Sequence, residues 1–491
     1  RLSLVGSEMC IRDRMDKYKK LASNTIVFAI GTFSSKLLTL VLTFFYTRVL
    51  ATGDFGGATL IQNAVNILVP IVTLAVNSAA LRFALDKGSD KKCVFSTGVA
   101  TTLIGFAVFC LFSPLVMRIT INDFNFGQYT ILLYLMLLGS SLRQLCQQFV
   151  RGSGHVKLYA IDGVIATATS AGFTFLYLGA FKWGIYGYIL AIFTSDMLSV
   201  LFMFVTAKLW RYVNFRTGLK KSTVSPMLKY CIPLIPTIIL WWIINVSDQY
   251  MVTYFNGVST SGIYTAAYKI PNFVTIFASI FIDAWQISAV DEYDSKGRSE
   301  FFTKVFRTYS GALLAICALL IVFSRIITSI YLGEDYYDSW HYVPILVIAT
   351  TFSNLVNFYA SVYMSEKKSM LSMMTAGAGA VLNIVLNFAF IPVMGPYGAA
   401  IATAASFIVV FIIRAINTKK FVVIKINYLT FLPSVIMLFA ASALMIFEVG
   451  GQWMSFAVAA VLGVLVILLN IKSIIVIVPL VLNRFIKKRK S

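Results

Sequence analysis

Apolar runs of about twenty residues recur along the whole 491-residue chain, separated by short basic stretches. A helix rises ~1.5 Å per residue, so roughly 20 apolar residues cross a ~30 Å hydrocarbon layer. Water cannot be the solvent for so many such runs. Hydrophobic residues make up 59% of the chain and charged residues 12%, against roughly 25% charged in soluble domains. In lipid every backbone polar group must be satisfied within its own segment or barrel, and runs of this length favour helices. The expected fold is an all-α polytopic membrane protein of about 14 transmembrane helices. The runs are 21–47, 56–81, 93–117, 128–150, 157–180, 184–207, 229–255, 260–289, 306–332, 342–364, 369–391, 396–416, 428–447 and 453–470. A further apolar stretch, 474–482, contains Pro479 and either extends the last span or lies at the interface.

The loop charges set an orientation. With the N-terminus in the cytoplasm, 31 Lys and Arg fall on that side, and Arg48, Arg118, Lys182 and Arg325 fall outside. This is the positive-inside bias, and it places both termini in the cytoplasm. The net charge of +21 is thus a topology signal, with no nucleic-acid partner implied. Loops of at most about twenty residues hold no extramembrane domain, and no GxxxxGK[ST] phosphate loop occurs. The cysteines and the two histidines, His155 and His341, show no ligand spacing, so no metal, cofactor or catalytic group is expected.

Residues 1–14 read as a non-native N-terminal scar, with Met15 as the natural start. Beyond it the chain matches itself at two neighbouring offsets. An offset of 211 carries Gly184, Tyr186 and Gly187 onto Gly395, Tyr397 and Gly398, and an offset of 206 carries Gly56 onto Gly262 and Asn66 onto Asn272. Six spans per half make the expected repeat a pseudo-twofold about the membrane normal. The expected division is an N-lobe of spans 1–6 at 15–220, a C-lobe of spans 7–12 at 221–420, spans 13–14 at 421–472 and a basic cytoplasmic tail at 473–491. The plainer alternative is that Gly-x-Tyr-Gly is a common turn between helices.

Three segments carry a family likeness. They are Tyr46 to Leu50 with Asp54, Phe55 and Gly56; Ser247 to Tyr250 with Gly262 to Lys269; and Asn383 to Asn387 through Pro392, Gly395 and Ala400. In them the chain resembles the polysaccharide transporter family of lipid-linked oligosaccharide, O-antigen-type flippases, within the multidrug/oligosaccharidyl-lipid/polysaccharide exporter superfamily. The resemblance implies two six-helix lobes working by alternating access in the bacterial cytoplasmic (plasma) membrane. It further implies an undecaprenyl-diphosphate-linked saccharide as cargo, flipped for polysaccharide biosynthesis. Partners would be that lipid-linked saccharide, membrane lipid, H+ or Na+ as coupling ion, and polysaccharide-assembly proteins. It does not name the glycan.

Charged side chains inside a membrane are costly and mark function by default. Arg143 and Asp162 lie at similar depth on consecutive spans and read as a structural ion pair. Asp248 and Lys269 can pair across the next hairpin or line a cavity. Asp283 lies near enough the cytoplasmic face to be hydrated. Lys36 and Asp196 sit mid-span with no opposite charge in their own hairpins. A cavity lysine suits a diphosphate, so Lys36, Lys269, Asp248 and Arg48 are the substrate-binding candidates, and Asp196 is the ion-coupling candidate. By resemblance, several such flippases carry a basic residue near the position of Lys36. Trp241, Trp242, Tyr250, Tyr254 and Tyr264 read as an interface belt or as a sugar-stacking surface. Two alternatives remain: a cation-coupled multidrug/toxin antiporter, and a membrane-embedded polysaccharide polymerase or glycosyltransferase. The latter would want catalytic carboxylates in a large outer loop, and the acidic loop at Glu334, Asp335 and Asp338 is short.

Overall fold

The computed structural model describes residues 38–86, 88–215, 218–291, 297–366 and 368–487. The expected scar at 1–14, Lys36, and the last residues of the basic tail therefore lie outside the described residues. Twelve described helices are long and apolar enough to cross a membrane. Two of the expected spans differ from the rest. The first is described only from Leu38, as the helix Leu38–Val49. The eighth is broken into Val258–Ala267 and Asn272–Asp291. Twelve crossings among the described residues are roughly consistent with the expected fourteen, and the chain is a multi-pass helical membrane protein. A two-stranded ribbon, Thr120–Ile121 with Phe124–Asn125, is the β structure among the described residues.

The chain forms two compact units, one of 1–50, 58–120 and 125–239, the other of 51–57, 121–124 and 240–491. In the first, Ala75, Val76, Ala79 and Ala80 pack with Phe95, Leu145 and Phe149, all buried. Small residues there let helix backbones approach closely, which is how helices associate where lipid offers no hydrophobic drive. The second unit is centred on aromatic rings. Trp285 stacks on Phe358 at 4.7 Å and donates from Nε1 to Ser361 Oγ at 2.8 Å, so its one polar atom is satisfied.

The breaks in the helices have local causes. The second expected run, 56–81, is two helices, Thr52–Val72 and Val76–Leu85. Between them Leu74 and Ala75 are left-handed, with φ of 51° and 53°. Pro70 lacks an N–H and loosens the ladder one turn earlier, and Ala75 N–H closes a wider turn on Pro70 O at 2.7 Å. The eighth span stops before Pro271 for the same reason. There, Lys269 N–H bonds Ala266 O at 3.0 Å and Ile270 N–H bonds Ala267 O at 3.3 Å, keeping the interrupted backbone satisfied. The open question at 474–482 is answered for the backbone: Gln452–Lys487 is one helix of 36 residues, roughly 54 Å long.

Arg414, near the end of the expected run 396–416 and one of the 31 Lys and Arg assigned to the cytoplasmic side, is instead completely buried in the helix Pro396–Asn417. Its guanidinium donates to Thr375 Oγ1 at 3.0 Å, Val356 O at 3.0 Å and Ser372 O at 3.1 Å. It ties three spans together through neutral oxygens.

Candidate functional site

Two buried polar networks stand out, one in each unit. In the first unit, Ser140, Arg143 and Gln147 sit three and four residues apart on the helix Thr130–Gly152, and so share one face. Arg143 Nη1 donates to Asp196 Oδ1 at 2.8 Å, and Ser140 Oγ donates to Asp196 Oδ2 at 2.7 Å. Asp162, fully buried, receives Gln147 Nε2 at 2.8 Å and the Ser199 hydroxyl. This corrects the expected Arg143–Asp162 pair, and it gives Asp196 the counter-charge that its own hairpin lacked.

The helix ends explain the correction. Arg143 lies nine residues before Gly152 and Asp196 ten before Thr206, while Gln147 lies five before Gly152 and Asp162 six after Val156. Depth matching was sound, but the third helix was the better match for the arginine. Arg143 bonds only one of the two carboxyl groups, Asp196, and among the described residues its Nε is buried without a partner.

In the second unit, Asp248 is 1% exposed. It accepts from Tyr264 Oη at 2.9 Å, Tyr268 Oη at 2.7 Å, Thr403 Oγ1 at 3.3 Å and Gln249 N at 2.9 Å. Thr403 in turn receives Asn383 Nδ2 at 3.2 Å. Asn383 Oδ1 receives Asn387 Nδ2 at 3.0 Å and Ser247 Oγ at 3.1 Å. Asn387 Oδ1 is buried with no partner among the described residues. The carboxylate is thus surrounded by neutral donors and sidechain oxygens, with no cationic partner among the described residues.

Of the two readings of Asp248 and Lys269, the ion pair does not form. Lys269 lies in the break of the eighth span, half-buried, with Nζ 5.7 Å from the centre of the Phe55 ring. Among the described residues no carboxylate is within ion-pair distance of it. Transporter sites are typically built at such helix breaks, from half-helix ends and unwound backbone. Arg48 is exposed, its guanidinium 3.5 Å over the Phe44 ring and donating to Phe44 O at 3.0 Å. The side chain of Asp283 and the whole of Lys36 lie outside what is described.

Asn383, Asn387, Thr403 and Tyr268 are not among the site candidates named from sequence, and Tyr264, one of the belt or sugar-stacking aromatics, is fully buried. The four-residue spacing of Asn383 and Asn387, one helical turn within an apolar run, was the available signal. Among the described residues no group of three or more His, Cys, Asp or Glu gathers as a metal site. A lone carboxylate with amide and hydroxyl oxygens suits a proton or a small hard monovalent cation instead.

A family profile described as "MatE" matches residues 233–389. The chain is 24% identical over 423 residues, 83% of its own length and 85% of the relative's, to a protein of Haloferax volcanii called "Probable low-salt glycan biosynthesis flippase Agl15". In fold it is similar to the lipid II flippase MurJ in an inward closed conformation, with a TM-score of 0.68 at 17% identity, covering 91% of this chain and 98% of that one. It is also similar to an inward-facing multidrug resistance MATE family transporter, with a TM-score of 0.63 at 13% identity over 81% of this chain and 98% of that one. The profile described as "Polysaccharide biosynthesis protein" matches residues 21–286, and the chain belongs to that family.

Proposed function

We propose that the chain is a flippase that carries an undecaprenyl-diphosphate-linked oligosaccharide across the cytoplasmic membrane by alternating access, with both termini in the cytoplasm. The observation that carries this reading is Lys269, a cation at a helix break inside the membrane with no carboxylate partner among the described residues. An ammonium held there by aromatic contact and left without a counter-ion favours an anionic visitor, and a diphosphate entering the bilayer needs such a partner. The family's role in polysaccharide biosynthesis and the relative named as a glycan flippase agree with this cargo class. Lys36 and Arg48 are the further cations assigned to the cargo.

Transport against a gradient needs a driving ion. Asp248 fits that task better than Asp196, because Arg143 already neutralises Asp196 while Asp248 has only neutral partners. A proton or sodium ion taken up at Asp248 removes the cost of its bare charge in the membrane. No catalytic step is assigned, and polysaccharide-assembly proteins would receive the flipped lipid.

The test is a reconstituted-vesicle assay that follows exposure of a lipid-linked saccharide to a sugar-cleaving enzyme added outside. Lys269→Ala is expected to slow flipping roughly 10- to 100-fold, the worth of a charge-assisted hydrogen bond. Lys269→Arg should keep much of the rate, and Lys36→Ala and Lys36→Arg are run beside them. Full flipping by Lys269→Ala at normal protein level would remove Lys269 from the cargo site.

A further inference from the structure

Between the sixth and seventh spans, the chain turns through Leu209–Tyr212 and then forms the helix Lys221–Cys231. Helical spacing sorts that helix and the residue after it into three rows. Met227 and Cys231, both fully buried, pack into the alanine-rich core of the first unit. Val224, Leu228 and Ile232 form a second apolar row, and Ile232 is 53% exposed. Lys221, Ser225 and Lys229 form a polar row beside it. The two outer rows and Leu219 line a shallow, open groove of about 430 Å³.

Neither environment alone satisfies this groove. Its aliphatic row would be poorly placed in water, and its lysines would be poorly placed in hydrocarbon. The exposed neighbours Trp210, Phe215 and Tyr230 are also residue types that settle at a headgroup boundary. The helix opens the stretch Lys221–Asn256, which is long and apolar enough to cross a membrane, so it lies at the end of that crossing, near the boundary. The charges fix the occupant. Lys220 is paired with Asp90 at 3.9 Å, whereas Lys221 and Lys229 have no ion pair among the described residues. Two helical turns separate them, about 12 Å along the axis, so two flexible ammonium groups can converge on one phosphate.

We infer that this groove binds one anionic phospholipid, with an acyl chain along Val224, Leu228 and Ile232 and its phosphate held between Lys221 and Lys229. The lipid completes the apolar face that the core leaves uncovered. It thereby anchors the connection between the sixth and seventh spans to the membrane surface.

The test uses the full chain in nanodiscs of phosphatidylcholine mixed with phosphatidylglycerol, with retained lipid read by native mass spectrometry and backbone protection of 218–232 read by hydrogen exchange. The wild type should keep phosphatidylglycerol in preference to phosphatidylcholine, with slower exchange at 218–232 than in pure phosphatidylcholine discs. Lys221→Gln with Lys229→Gln should lower retention about tenfold and abolish the difference in exchange. The double arginine variant should restore both, and Lys91→Gln with Lys92→Gln should change neither. Three results overturn the inference: equal retention of the two lipids by the wild type, undiminished retention by the double glutamine variant, or displacement of phosphatidylglycerol by traces of a polyprenyl-diphosphate lipid. The last would give the groove to the transported cargo.

Discussion

Gly56 and Gly262 meet backbone to backbone, and the contact is reciprocal. A Cβ on Gly56 would lie 2.3 Å from Val258 O, and a Cβ on Gly262 would lie 1.9 Å from Thr52 O. Positions 52 and 56 carry onto 258 and 262 at an offset of 206, the offset at which this part of the sequence matches itself. Under the expected repeat, each glycine would face the counterpart of its own preceding turn, the pattern of an isologous contact. The Thr52 and Ser259 hydroxyls are hydrogen-bonded beside it at 2.5 Å.

Gly262→Ala is accordingly expected to destabilise, by the ~1–3 kcal/mol typical of overpacking. Gly163→Ala, on a helix where an added Cβ meets nothing within 4 Å, should be neutral or slightly stabilising, since alanine is the better helix former. Thermal melts in detergent should separate the two. Equal midpoints would show that the Gly262 contact yields at no cost.

The Arg143–Asp196 pair should behave as a unit. Arg143→Met alone leaves a buried carboxylate uncompensated and should cost ~3–5 kcal/mol. Arg143→Met with Asp196→Leu should recover most of that loss. Asp162→Asn alters a carboxyl that has no cationic partner among the described residues, so it should cost far less. A double-mutant cycle from urea or thermal unfolding checks this, and additive single effects would contradict the pairing.

Tyr268→Phe strips Asp248 of one of its donors and should cost ~1–3 kcal/mol. Asp248→Asn should fold normally and lose ion dependence: flipping in vesicles should no longer respond to an imposed proton or sodium gradient. A gradient response equal to the wild type would remove Asp248 as the coupling group.

Asp90 caps the helix Lys91–Cys110, accepting from Lys92 N at 3.0 Å and from the Cys93 thiol at 3.2 Å. The thiol first, then the backbone donors and the Lys220 charge, hold this carboxyl below its ordinary value against partial desolvation. A carboxyl with a lowered folded pKa stabilises above its unfolded pKa. That contribution is lost as pH falls through the folded value. Asp90→Ala should therefore cost about 1 kcal/mol near neutrality and nothing at a pH below both values. Midpoints measured at neutral and strongly acid pH should diverge and then converge. A cost that persists in acid would point to packing rather than to the cap.

Span number, helix class and the positions of the membrane charges were legible in the sequence, because apolar length and period are local properties that lipid makes decisive. The partners of those charges were not. Arg143 was assigned to Asp162 from its own hairpin, and a third helix supplied Asp196 instead. Lys269 and Asp248 were matched by depth, but two tyrosine hydroxyls and Thr403, the last distant in sequence, took the carboxylate and left the lysine beside Phe55. Arg414 stands by sequence at the basic end of its run, yet carbonyls of two other helices solvate it. Sequence by itself determined that this protein spans the membrane and which residues carry charge into it. Only tertiary structure decided which charges stay unmatched, because in a low-dielectric interior a partner is chosen by the direction and reach of side chains from several helices at once.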